Sequence, residues 1–148
     1  MLLLAMAVPS VMAEAALSED VVILYTNDVH AYIDQGLSYD VLAALKADLQ
    51  TKYEHVLLLD AGDHMQGTAY GSMDKGESII KLMNAAGYDL ATLGNHEFDY
   101  LPKGLASMLN AAVKSGDRLP QIVDSNYLPP AKDSDSMETP SSTSSGET

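Results

Sequence analysis

Val56-Leu57-Leu58-Leu59-Asp60-Ala61-Gly62-Asp63-His64 is an apolar run that breaks, without a spacer, into carboxylate, glycine, carboxylate and imidazole. Two other stretches have the same shape. Val21-Val22-Ile23-Leu24-Tyr25 runs into Thr26-Asn27-Asp28-Val29-His30, and Leu90-Ala91-Thr92-Leu93 runs into Gly94-Asn95-His96-Glu97-Phe98-Asp99. Each apolar run has the length of a short buried strand, and Val21 to Tyr25 is apolar on both faces, as a central parallel strand should be. Three strands that each end in metal-ligand or proton-transfer residue types decide the architecture and show where its chemistry lies.

Between these strands the periodicity turns helical. Ser38 is placed to cap a helix whose Val41, Leu42, Leu45 and Leu49 form one apolar stripe through about Lys52. Gly62, Gly67, Gly71 and Gly76 mark a long flexible loop, after which residues 78–86 read as a helix with Ile79, Ile80 and Met83 inward. Gly87 stops that helix. Pro102 suits the first turn of a further helix, where its missing N–H costs nothing. Leu105, Met108, Leu109 and Ala112 make its buried face, Gly116 ends it, and Gln121-Ile122-Val123-Asp124 is a fourth strand. Alternating strand and helix implies right-handed crossovers and an α/β fold, a mainly parallel β-sheet covered by helices.

The composition narrows the classes of function. A chain of 148 residues with 47% hydrophobic content suits one domain with a real core. Its 21 acids against 8 Lys plus Arg, a net charge of -13, argue against a nucleic-acid polymer as partner, which needs clustered basic residues. The absence of cysteine excludes disulfides and thiolate metal sites.

The two ends differ from the middle. Met1 to Val8 is apolar, and Ala13-Glu14-Ala15 fits a small-x-small cleavage pattern, although no Lys or Arg precedes Lys46. Residues 1–16 therefore read as a signal peptide, with an apolar N-terminal arm as the alternative. The run is too short to be a transmembrane span. Export to the periplasm, the cell surface or the extracellular space follows from that reading. Residues 129–148 are rich in Ser, Thr, Asp and Glu with little to bury, the composition of a disordered tail.

In a parallel sheet the ligand crevice lies beyond the carboxyl ends of the strands, where Asp28, His30, Asp63, Asn95 and His96 all fall. Oxygen and imidazole donors together suit Zn, Mn, Fe or Co better than Ca or Mg. Asp28 and His30, two apart on an extended segment, can share one ion. Asp63 can bridge two ions, and Asn95 offers a neutral oxygen to the second. His96 is the candidate proton donor at a leaving oxygen, with Asp99 holding its tautomer. Two ions roughly 3.5–4 Å apart can activate a hydroxide and clamp a phosphoryl group. Asn27 and Asp60 read as hydrogen-bonding supports for these residues.

Thr26-Asn27-Asp28-Val29-His30, then Asp60-Ala61-Gly62-Asp63 with Gly67, then Gly94-Asn95-His96-Glu97-Phe98-Asp99 resemble the ordered motifs of calcineurin-like metallophosphatases. The likeness is closest to the 5′-nucleotidase branch, which includes UDP-sugar hydrolases and 2′,3′-cyclic-nucleotide phosphodiesterases, and it reaches Ser125-Asn126-Tyr127. It implies that Asp28 and His30 bind one metal, Asp63 bridges, Asn95 binds the second, and His96 with Asp99 form the catalytic pair. It also implies two divalent ions, a nucleotide or related phosphoester as substrate, later histidines that complete both metal spheres, and a C-terminal nucleoside-binding domain. No histidine follows His96, and Ala31 stands where the family often has glycine.

Residues 20–128 are thus expected to form the N-terminal half of a metallophosphatase α/β sandwich. The expected function is metal-dependent phosphoester hydrolysis of the 5′-nucleotidase type, truncated here; the alternative is a non-catalytic fragment that keeps partial metal binding or a partner-binding role. A phosphate-binding module is disfavoured, since no P-loop-type glycine cradle is present, and a zincin fails because Tyr100 stands where the second histidine is required. Blander roles fit the rest. His64 reads as a site-facing or a solvated loop histidine and His55 as surface. Tyr32, Tyr70 and Tyr100 read as packing or pocket residues, and Met6, Met83 and Met108 as apolar filling.

Overall fold

The computed structural model describes residues 16–114 and 119–125. Strand β1 spans Ser18–Thr26, helix α1 Tyr39–Gln50, strand β2 Tyr53–Asp60, helix α2 Ala69–Met73 and helix α3 Glu77–Ala86. Strand β3 is Leu90–Ala91, a single 3₁₀ turn covers His96–Phe98, helix α4 is Leu101–Lys114, and strand β4 is Gln121–Ile122. The four strands form one parallel sheet in the order β1-β2-β3-β4. Alternation of strand and helix has produced the α/β architecture that it implied.

One layer of helices covers one face of the sheet. Val22 pairs with Val56, Leu24 with Leu58 and Thr26 with Asp60, which points this set of side chains at the helices. Leu58, Ile79, Ile80 and Met83 are fully buried, joined by Leu42 of α1 and by Leu105, Met108 and Ala112 of α4. Burial of each large side chain contributes roughly 1.5–3 kcal/mol. Helices α3 and α4 present the faces their spacing predicts, and Gly87 caps α3 in the left-handed conformation at φ 82°. Gly116 and the Ser/Thr-rich tail lie outside the described residues.

Four expectations need correction. Val21, Ile23 and Tyr25 are 61%, 55% and 74% exposed, because β1 is an edge strand among the described residues and no layer lies over its second face. Helix α1 does not bury its whole apolar stripe: Val41 and Leu45 are exposed, whereas Tyr39, Leu42 and Lys46 face inward. Lys46 is accommodated because its ammonium donates to the Gly87 carbonyl and to Asp89 Oδ2, the latter at 2.7 Å. Ser38 occupies the N-cap position, but its hydroxyl bonds Asp40 instead of a helical N–H. The glycine-marked segment after β2 is not all loop, since α2 forms within it.

Candidate metal centre

The parallel pairing of β1 and β2 continues past both strand ends as a zipper of loop hydrogen bonds. Ala61 N–H donates to Thr26 O at 2.8 Å, Asp28 N–H to Gly62 O at 3.1 Å, His30 N–H to Asp63 O at 2.8 Å and Ala31 N–H to His64 O at 2.9 Å. Two polar loops that lie far apart in sequence are thereby held in register. Their ligand-type atoms converge: one atom each from Asp28, His30 and Asp63 lie within 4.8 Å of one another. Asp28, His30, Ala31 and Asp63 all have left-handed backbones, with φ of 54°, 50°, 56° and 56°. Such conformations persist only where surrounding contacts over-determine them, and they gather at functional sites.

His30 is oriented for ligation. Its Nδ1 lies 3.0 Å from the Gln66 carbonyl, an acceptor, so Nδ1 carries the proton and Nε2 keeps its lone pair. That Nε2 is 3.7 Å from Asp28 Oδ1. Asn27 donates its side-chain N–H to Asp28 Oδ2 and so steers the carboxylate.

The third polar segment packs against the second through two glycines. A Cβ on Gly62 would fall 2.6 Å from Gly94 N, and one on Gly94 would fall 2.6 Å from Asp63 N. This closeness lets His96 N–H donate to Asp63 Oδ1 at 2.8 Å. The His96 ring then stands edge-on to His30, centroids 5.1 Å apart. His96 Nδ1 is 3.0 Å from Asp99 Oδ2, and this hydrogen bond raises the imidazole above its ordinary pKa, with the Asp63 and Glu97 charges adding to it. Asn95 is exposed on the same turn, next to the residue whose N–H holds Asp63.

Behind the ligand atoms lies a buried polar network that the sequence reading did not anticipate. His64 is 1% exposed, so it is neither solvated nor in the open site. Its Nδ1 is 2.7 Å from Asp60 Oδ1, and the same oxygen accepts Gly62 N–H at 2.9 Å. Asp60 Oδ2 accepts the Thr26 hydroxyl at 2.6 Å, and Tyr88 O–H reaches Thr26 at 2.9 Å. Asp60 therefore supports the backbone of the site and offers no ligand. Glu97 is 2% exposed and accepts four backbone N–H bonds, from Asp63, His64, Met65 and Gly94. Its sequence signal was weak, a single acid between His96 and Phe98. His55, Tyr32 and Tyr70 are exposed; Tyr100 receives a hydrogen bond from the Gln66 amide at 2.9 Å.

Two carboxylates and an imidazole with a free Nε2 fit a borderline divalent cation, the donor chemistry that Zn, Mn, Fe and Co share. Fold and donors together define an α/β protein with a candidate metal site at its strand ends. Comparison with known proteins agrees. Residues 21–139 match the calcineurin-like phosphoesterase family. The chain is 43% identical over 113 residues to a snake venom 5′-nucleotidase of Gloydius brevicauda, an alignment covering 68% of this chain and 19% of that one. It is 35% identical over 150 residues to the 5′-nucleotidase of Homo sapiens, covering 85% of this chain and 26% of the relative. Among solved structures, the NAD nucleotidase of Haemophilus influenzae superposes with a TM-score of 0.65 at 28% identity, over 76% of this chain and 22% of that one. The 5′-nucleotidase precursor of Thermus thermophilus gives 0.60 at 30% identity, over 72% and 22%. The chain belongs to the calcineurin-like phosphoesterase family, whose members use divalent metals, and it spans about a quarter or less of the length of these relatives.

Proposed function

We propose that this chain carries the N-terminal part of a two-metal active site for phosphoester hydrolysis of the 5′-nucleotidase type, acting on a nucleotide or a related phosphoester. The observation that supports it most is the meeting of Asp28, His30 and Asp63 within 4.8 Å, beside the His96–Asp99 pair. In this reading Asp28 and His30 would hold one divalent ion, Asn95 would hold a second, and Asp63 would be a ligand shared by both. Ions bound there supply Lewis-acid charge to phosphoryl oxygens and lower the pKa of water.

The chain's own residues supply the rest. Asp63 is kept in place by the His96 amide. His96, hydrogen-bonded through Nδ1 to Asp99, which raises its pKa, would present Nε2 to the leaving oxygen and donate a proton there as the ester bond breaks. Asn27 orients Asp28, and Asp60 holds the strand-end backbone. Export is part of the proposal. It rests on the leader-like pattern in residues 1–16 and on the venom origin in the name of one relative.

A second reading, partial metal binding without turnover, is favoured by one observation: among the described residues the acid and imidazole ligand atoms that meet are those of one group, Asp28, His30 and Asp63. Calorimetric titration of the chain with Mn²⁺ and Zn²⁺, alongside phosphate release from 5′-AMP, separates the two. Two tight equivalents with turnover that disappears in Asp63→Ala and His96→Ala support hydrolysis. Single-ion binding lost in Asp63→Ala, with no turnover, supports the second reading, and binding unaltered by Asp63→Ala refutes both.

A further inference from the structure

We infer that Glu97 is the positioning residue of this centre, the clamp that fixes the Asp63 loop against the Gly94–Asn95 turn. The inference rests on the metal-site reading above only for what the clamp serves. The clamp itself stands on hydrogen bonds.

The Glu97 carboxylate is closed off from water, and each of its oxygens accepts two backbone N–H groups. Oε2 takes Asp63 N–H at 2.8 Å and Gly94 N–H at 2.6 Å, while Oε1 takes His64 N–H at 2.9 Å and Met65 N–H at 3.1 Å. Three of these donors belong to the loop after β2 and one to the turn after β3. A single side chain thus joins two segments that are well separated in the chain. Successive N–H groups that converge on one oxyanion form a backbone nest, and hydrogen bonds to a charged acceptor are the strong ones. His64 Nδ1, 3.8 Å from Oε1, is the ionisable nitrogen that faces this carboxylate among the described residues.

A second link runs the other way. Asp63 gives its N–H to Glu97 and receives the His96 N–H on its own Oδ1 at 2.8 Å. The Glu97 carboxylate therefore braces the Asp63 backbone, and the Asp63 carboxylate braces the backbone of His96, the neighbour of Glu97, across a gap that Gly62 and Gly94 keep free of side chains. This fixes the Asp63 carboxylate relative to Asn95 and His96. No other buried carboxylate among the described residues bridges these two segments: that of Asp60 bonds Gly62, His64 and Thr26, all on the β1–β2 side.

Glutamine at 97 would keep the volume but turn an NH₂ group toward two N–H donors. Aspartate would keep the charge but fall one methylene short of spanning both segments. Residue-resolved amide exchange and Mn²⁺ titration of the full chain test the clamp. In the wild-type chain the amides of Asp63, His64, Met65 and Gly94 are expected to share one high protection factor, each rate being divided by its intrinsic value. In Glu97→Gln their protection should fall at least tenfold while the β1–β2 ladder amides keep theirs. Mn²⁺ affinity per folded molecule should fall about tenfold or more, the usual effect of losing a group that orients a ligand. Glu97→Asp should recover part of that affinity.

Unequal protection factors for the four wild-type amides would overturn the clamp even if no variant folded. So would protection retained in Glu97→Gln, or Mn²⁺ affinity unchanged when protection is lost. Failure of the metal reading is visible separately, as Mn²⁺ binding that Asp63→Ala does not alter; the exchange rates then decide the clamp alone.

Discussion

Tyr88 ends the hydrogen-bonded chain that begins at His64 and passes through Asp60 and Thr26. Because the Thr26 hydroxyl gives its hydrogen to Asp60, the Tyr88 O–H donates to Thr26. Burial pushes the Tyr88 phenol up to about 12, and the Asp60 charge adds to this. An acid that is harder to ionise folded than unfolded stabilises the fold below the unfolded pKa of 10.0 and loses that contribution as pH rises toward 12. Wild type should therefore lose about 2 kcal/mol more than Tyr88→Phe between pH 10 and pH 12, measured by urea unfolding. At pH 8 the variant should be about 1 kcal/mol weaker, the value of one buried hydrogen bond. Equal alkaline slopes in the two proteins would refute this. The site's residues divide in the same way by legibility. The grouping of Asp28, His30 and Asp63 and the pairing of His96 with Asp99 were readable because each of these residues follows a strand end in a short polar motif. His64 and Glu97 were not, because a buried side chain that bonds backbone N–H leaves no periodicity in the sequence.

Helix α1 shows what amphipathic spacing conceals. Helices α3 and α4 bury the apolar positions their sequences mark, since they pack on each other and share one core cluster with Leu58 and Ala91 of the sheet. In α1 the inward face includes Lys46, whose stem is covered while its ammonium meets Gly87 O and Asp89 Oδ2. Asp89 Oδ2 also accepts Leu58 N–H at 2.9 Å, so this one carboxylate ties α1 to β2 and to the segment before β3. Lysine counts as polar in any hydropathy pattern, and only its partner explains its place. Removing the ammonium leaves a part-buried carboxylate with less compensation. Lys46→Met should cost about 2 kcal/mol despite its favourable hydrophobicity. The double variant Lys46→Met/Asp89→Asn should regain part of this, because the neutral amide still offers an oxygen to Leu58 N–H. Thermal unfolding of wild type, Lys46→Met, Asp89→Asn and the double variant checks the prediction; additive losses would mean that the pair is not coupled.

The parallel order of the whole sheet was legible because strand and helix alternate, a pattern that leaves few topologies open. The place of β1 was not. Val21 to Tyr25 has apolar residues on both faces, the signature of a strand covered on both sides, yet Val21, Ile23 and Tyr25 point away from the helices with nothing over them among the described residues. There β1 also pairs on one side only, which leaves a row of backbone donors and acceptors beside an apolar stripe. An edge of that kind is a template for pairing with a second copy of the chain. The opposing force is electrostatic. A net charge of -13 repels a second copy at low ionic strength, and salt shortens that repulsion to about 3 Å at 1 M. Sedimentation velocity should therefore show association that grows with NaCl concentration, the reverse of an assembly held by ion pairs. Ile23→Lys should suppress it, since the residue is 55% exposed and its replacement places a charge at the middle of the stripe without disturbing the covered face. Association that weakens with salt, or that Ile23→Lys leaves intact, would show that another surface brings the copies together.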